Sequence, residues 1–377
     1  MRRLPVLLRD DSLFGDRGLR PGHVDGTVVE DDRMSVRGGR PMAAAPDVTL
    51  ASRLRPLDRL EVAVLVDNVT DTLSTVPAGV TNELINLARA GVTCIGGSCL
   101  CCAHFGLSLV ITATVGGRSH SVLFDTGPEA YAVERNGDRM KVDFGAVESV
   151  VLSHGHWDHG GGVLKALELI RGANGGRAID VHVNPGMFVP RALRFPDGTL
   201  VSFMDLPRPA ELAEHGAKVV NSADPRLLQD DCFYLSGEIP RVTPFEKGLP
   251  GHLSRTSPDG DWELDPLIMD ERYLAVNLAG KGVLVFSACS HAGLINVLEA
   301  AHSAFATAPL YGAMGGFHLS GATEPIIPDT VRALQRFGLK RIIPGHCTGW
   351  RALSALLQTF GDEIVVPCPV GRRFVFE

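Results

Sequence analysis

The stretch SHGHWDHGGG, residues 153–162, sets three histidines and an aspartate within six positions and ends in three glycines. Four metal-ligating side chains crowded in this way need a backbone that turns sharply and a scaffold that holds the turn. The preceding VESVVLS reads as a short buried strand, and the following GGGVLKALELI opens a helix. His154 and His156 lie two apart, so on extended backbone they point the same way and can grip one ion. Asp158 and His159 are adjacent and turn toward a second ion, while Gly155 and the glycines after His159 let the backbone fold tightly. Imidazole suits zinc and related first-row metals, and the carboxylate adds a hard ligand.

The flanking pattern says what carries this loop. From Leu60 onward, Val-rich runs such as LEVAVLVDNV, LSLVITATV, HSVLFDTG, GVLVFSACS and RIIPGH carry the signal of buried strands. Helical periods stand between them, among them VLKALELIRGA, GLINVLEAAHSAF and WRALSALLQTFG. Strands that come first in pairs and later alternate with helices predict an α/β (α+β) fold, with sheets covered by helices. Residues 60–377 are expected to form this domain. Residues 186–270, rich in Pro, Gly and charge with few clear periods, are expected to be an irregular insertion that forms a lid or wall over the site. Residues 1–59 show no sustained period and predict a disordered extension, in which Met34 and Met42 offer later start positions that N-terminal mass analysis would decide.

The spacing His-X-His-X-Asp-His after a strand resembles the signature of the metallo-β-lactamase superfamily. That resemblance implies a four-layer αββα sandwich with a dinuclear metal site along one edge. It implies that Asp125, in LFDTG, orients the metal-binding loop through hydrogen bonds, and that His346, in RIIPGHCTG, joins Asp158 and His159 on the second ion. Many members close the site with an aspartate bridging both ions; here the corresponding strand ends in Cys289, Ser290 and His291. This departure is similar to the dihydropterin synthase-like branch, whose CSHAG, GGFHL and GHCTG segments and early VDN strand occur here at 289–293, 315–319, 345–349 and 66–68. On that likeness His291 is expected to complete the first site with His154 and His156. His318 is either a further ligand or a proton donor facing substrate, and Asp270 either replaces the missing carboxylate or is an exposed turn residue. Cys289 is expected to pack beside the ligands, with a thiolate ligand as the alternative.

Together these readings predict a metal-dependent hydrolase. Two divalent ions, zinc with manganese or iron as alternatives, would bring the pKa of a shared water to roughly 7, making hydroxide available at neutral pH against an ester, lactone or phosphoester. Asp158 and His318 are the expected proton-handling residues. A reaction like that of the dihydropterin-ribofuranosyl-aminobenzene phosphate synthases is a special case, and a non-catalytic metal-binding sensor or scaffold is the alternative. No strand–GXGXXG–helix context signals a nucleotide cofactor, and no GXSXG elbow signals a serine hydrolase. A net charge of -7 disfavours a nucleic-acid partner and leaves a small-molecule substrate. No run approaches the roughly 18 apolar residues of a membrane span, and MRRLPVLLRDD is too short for a secretory signal, so the expected location is the cytoplasm. Cys94, Cys99, Cys101 and Cys102 lack paired C-X2-C spacing and are not expected to bind metal. Oligomeric state is not legible.

Overall fold

The computed structural model describes residues 48–257 and 259–377. Strand alternation sets its layers. In Arg59–Val66, the side chains of Leu60, Val62 and Val64 face one way and join a buried cluster with Ile111, Phe124, Leu284, Phe286 and Met314, drawn from two different sheets. Residues of the opposite parity face outward: Leu65, Leu123 and Val150 pack against the helices Ala130–Met140 and Val163–Ala173 through Val133, Leu167 and Ile170. On the far side Val283, Val285 and Ala313 pack against the helices Leu294–Ala304, Ile327–Leu334 and Trp350–Phe360. Two sheets thus lie face to face, each covered by helices, in a four-layer αββα sandwich.

The first sheet has the order Ala217–Asn221, Ile179–Val183, Val147–Val151, Arg118–Phe124, Ser108–Val115, Arg59–Val66, Arg373–Phe376, Val80–Thr81. The second runs Arg226–Leu228, Phe233–Leu235, Leu274–Leu278, Gly282–Ser287, Leu310–Gly316, Arg341–Gly345, with Pro56–Leu57 beside Leu274–Leu278.

Strand direction decides where the chemistry collects. Arg118–Phe124 and Val147–Val151 are parallel, and Arg59–Val66 runs the same way because two antiparallel steps separate it from Arg118–Phe124. Gly282–Ser287, Leu310–Gly316 and Arg341–Gly345 are parallel to one another. Each group releases its chain at one edge of its sheet. The residues that follow those strand ends are Asp67, Asp125 and His154, then Cys289, His318 and His346.

Two expectations are corrected. The structured region starts before residue 60: the short helix Val48–Ala51 and the strand Pro56–Leu57 are in place, Ala51 and Leu54 are buried against the second helical layer, and Arg55 N donates to Asp231 O at 2.9 Å. A single helical turn and a two-residue strand carry too few apolar positions to show a period. The remainder of the expected extension, residues 1–47 with Met34 and Met42, lies outside the described residues. The segment 186–270 is not irregular throughout. Arg191–Arg194, Leu200–Ser202, His252–Ser254 and Glu263–Leu264 form a small antiparallel sheet, while Ala217–Asn221 extends the first large sheet and Arg226–Leu228 and Phe233–Leu235 the second. Strands of two to five residues leave no readable alternation in sequence.

The interlayer packing gives a direct test. Phe286 is fully buried between the sheets, so Phe286→Ala is expected to lower unfolding free energy by about 3–5 kcal/mol, read as a lower urea midpoint at unchanged slope. A loss below about 1 kcal/mol would show that the two sheets do not share this core.

Candidate metal centre

A buried carboxylate, Asp125, ties down the loop after Val147–Val151 at Ser153 and His159. Asp125 Oδ1 accepts from Ser153 N at 2.7 Å, and its Oδ2 accepts from Ser153 Oγ and from His159 Nδ1, each at 2.7 Å. Asp125 leaves its own strand with φ 57°, a conformation that costs a non-glycine residue roughly 1–3 kcal/mol and persists only where its surroundings impose it. Ser290, His318 and His346, each just beyond a strand end, share this left-handed turn at φ 57°, 39° and 45°. Glycine serves the loop through close approach and not through φ: a Cβ on Gly161 or Gly162 would run into the carbonyl oxygens of Pro128 and Thr126.

Following the protons around the site shows what it can hold. Ser153 Oγ gives its proton to Asp125, so toward His154 it can only accept, which makes His154 Nδ1 the donor at 2.8 Å and leaves a lone pair on Nε2. The backbone oxygen of Asp265 accepts from His252 Nδ1 at 2.6 Å, leaving a lone pair on His252 Nε2, which faces His156 Nε2 at 3.1 Å. His156 Nε2 must then donate, and its Nδ1 presents a lone pair 3.0 Å from that of His154 Nε2. Two lone pairs at this separation repel unless a cation lies between them. Two nitrogens at roughly 2.0–2.1 Å from one tetrahedral ion stand about 3.3 Å apart, close to what is seen. His291 completes this set, with both ring nitrogens buried and without a hydrogen-bond partner. Burial, reinforced by the neighbouring imidazoles, holds His154, His156 and His291 well below the usual histidine range, in the neutral form that binds metal.

A second set is built the same way. His159 Nδ1 donates to Asp125, and His346 Nδ1 faces the Asn68 Oδ1 at 3.0 Å, so both Nε2 atoms point inward and lie 3.2 Å apart. Asp158 Oδ2 stands 3.3 Å from His346 Nε2 and 3.6 Å from His159 Nε2. His346 is placed by the early VDN segment: its N donates to Asp67 Oδ1 at 2.6 Å, and Asn68 Nδ2 donates to its carbonyl at 3.1 Å. Burial lowers the His159 imidazole, but Asp158 and Asp125 outweigh it and hold the ring up at about 9. Below that pH a proton occupies the position that a divalent ion would take. The rings of His154 and His159 are 4.4 Å apart, so the two sets adjoin.

Cys289 stands where the sequence lacks a carboxylate. Its Sγ is 3.4 Å from His159 Nε2, where a sulfur at roughly 2.3 Å and a nitrogen on one tetrahedral ion are about 3.5 Å apart. With His154 and His159 it forms a further set able to hold a metal ion. It also lies 3.2 Å from Cys347 Sγ and 4.0 Å from His318 Nδ1. His318 is half-buried beside His291, ring centroids 4.4 Å apart; it is absent from both histidine sets but forms a further set able to hold a metal ion with Cys289 and Cys347. Asp270 is in none of the ligand sets among the described residues and is not exposed: buried, it accepts from Gly155 N at 2.8 Å and Arg191 Nη2 at 2.7 Å. Cys94, Cys99, Cys101 and Cys102 contribute to none of the ligand sets among the described residues. Sequence reasoning missed Asp67, Asn68 and Ser153 as supports and His252 altogether. His252 sits in a three-residue strand with no metal-ligand spacing to mark it.

No family profile matches the chain. The crystal structure of Tm1679, a metal-dependent hydrolase of the β-lactamase superfamily, superposes with a TM-score of 0.61 over 84% of this chain and 98% of that one, at 20% identity. The chain has the metallo-β-lactamase fold. In sequence this metallo-β-lactamase-fold protein is 29% identical over 263 residues, 69% of its length and 86% of the relative's, to the 7,8-dihydropterin-6-methyl-4-(β-D-ribofuranosyl)-aminobenzene-5'-phosphate synthase of Methanocaldococcus jannaschii. It is 28% identical over 244 residues to an uncharacterized protein of the same organism. The facing lone pairs of His154 and His156 and the converging donors of both sets fit divalent metal ions. Among the described residues no helix is long and apolar enough to cross a membrane.

Two outcomes follow for metal uptake. Asp125→Ala is expected to weaken binding about 10–100-fold in a chelator competition, since His159 and Ser153 lose their shared acceptor; wild-type affinity would show that the carboxylate does not orient the ligands. Because His159 is protonated below about 9, uptake near pH 7 should release about one proton and affinity should rise with pH toward that value. Titration calorimetry in buffers of different ionisation enthalpy reads this directly; heats independent of buffer would refute it.

Proposed function

We propose that the chain is a dinuclear metal-dependent hydrolase, with zinc as the first assignment and manganese or iron suited to the same mixed nitrogen and oxygen donors. The observation that carries this reading is the pair of adjoining ligand sets, His154–His156–His291 and Asp158–His159–His346, each with donor atoms converging on one point. Two such ions supply Lewis acidity and an activated water when bound.

The chain's own residues supply the rest. Asp158 is buried with one carboxylate oxygen at the histidines, positioned to take a proton from the attacking water and pass it on. His318, half-buried beside His291, is placed to donate a proton to a leaving group. Phe105, half exposed, stacks with Trp157 at 6.0 Å and contacts the His346 ring at 5.1 Å, while Phe203 contacts the His156 ring at 5.3 Å. These aromatic side chains flank the ligands on two sides and give a small organic substrate an apolar wall. An ester, lactone or phosphoester of a small molecule is the substrate class proposed. The likeness to the archaeal synthase supports a second reading, a synthase-like reaction on a substrate with flat rings, for which the Phe105–Trp157 surface is suited.

Metal analysis is expected to return about two ions per chain, and His156→Ala and Asp158→Asn should each reduce turnover of a panel of small esters, lactones and phosphodiesters by at least about 1000-fold. A full metal complement with no turnover on the panel or on pterin and aminobenzene phosphate substrates would favour a metal-binding sensor instead.

A further inference from the structure

His252 is delivered by the 186–270 segment and meets the metal-binding loop at His156, Nε2 to Nε2 at 3.1 Å. Its backbone is fixed on both sides: His252 N donates to Leu249 O at 3.2 Å, and Asp265 N donates to His252 O at 3.0 Å, while Asp265 O takes the proton of His252 Nδ1 at 2.6 Å. The strand His252–Ser254 pairs with Arg191–Arg194, placing His252 opposite Leu193. Its ring is fully buried, 5.1 Å from that of His156 and 6.0 Å from that of Phe203, which covers both.

We propose that His252 is a positioning residue for the metal centre: by accepting the Nε2 proton of His156 it holds that ring in the tautomer and orientation that present Nδ1 to an ion shared with His154. The proton chain has one direction. A carbonyl oxygen can only accept, so Asp265 sets His252, and His252 in turn sets His156. A ring free to rotate or to change tautomer would present Nδ1–H to the ion for part of the time, and affinity would fall by that fraction. The alternative, in which His252 is itself a ligand, lacks donors: no set of three metal-ligating groups among the described residues contains it. The consequence is that the first metal position depends on the segment that also walls the site, so the segment is coupled to metal occupancy. This inference rests on the metal-centre reading of His154, His156 and His291.

The test uses the full chain stripped of metal and reloaded with Co(II), with His252→Ala and His252→Gln beside the wild type. His252→Ala is expected to weaken one of two Co(II) binding steps about 10–100-fold in chelator competition, leaving the other step and the thermal midpoint of the stripped protein unchanged. Gln retains both an acceptor for His156 and a donor for Asp265, and should recover most of the loss. The proposal is overturned by wild-type affinity in the Ala variant, by equal weakening of both steps with a lowered midpoint, or by loss of one bound ion at unchanged affinity of the rest. A two-bond proton–nitrogen spectrum of the stripped wild-type protein reads the tautomer without any metal: His252 should carry its proton on Nδ1, and a proton on Nε2 overturns the proposal. Because this arm needs no ion, failure of the metal reading, seen as no Co(II) uptake by the wild type, is told apart from failure of the His252 assignment.

Discussion

Imidazole nitrogens brought face to face at 3.0–3.2 Å are the interaction on which this structure turns. Each arrangement is imposed from outside the ring, by an acceptor that commits the far nitrogen to donate: Ser153 for His154, His252 for His156, Asp125 for His159 and Asn68 for His346. Without those partners a neutral imidazole would choose its own tautomer, and the ligand sets would lose the geometry that favours a cation over a proton. The supports come from four separate places in the chain, which explains why so small a site needs so large a scaffold.

The sandwich supplies that scaffold through strand direction. Parallel neighbours within each sheet release their loops at a common edge, and face-to-face packing through Phe124, Phe286 and Met314 joins the two sheets. Ligands separated by well over a hundred residues, such as His159 and His346, can then approach to 3.2 Å. Left-handed φ at Asp125, Ser290, His318 and His346 shows where the backbone bends to achieve it. Such strain is tolerated because buried hydrogen bonds, including His346 N to Asp67, hold the bends in place.

Cys289 stands where the resemblance drawn from the sequence implies an aspartate bridging two ions. A thiol 3.4 Å from His159 and 3.2 Å from Cys347 puts soft, polarizable atoms beside nitrogen and carboxylate donors. That mixture adds a soft donor to the site and bears on its chemistry more than on the fold. The small sheet of the 186–270 segment departs in another way, since it contributes Arg191, Phe203 and His252 to the surroundings of the metal loop.

By itself, the sequence determined the layered class of the fold and the dense part of the site. Local periodicity marks long strands and helices, and four metal-ligating side chains within six positions have no ordinary surface explanation. Resemblance added His291 and His346, each tied to a short motif. What the tertiary structure alone decided is the network behind the ligands. Asp270 reads as a turn residue or a stand-in ligand, yet it holds Gly155 and Arg191, and His252 reads as nothing in particular, yet it faces His156. His252 lies in a strand too short to show a period and Asp270 in a turn, and the bonds that join them to the metal loop span more than ninety residues. Contacts of that kind leave no spacing in the sequence, because the distance that matters is closed only when the sheets pack.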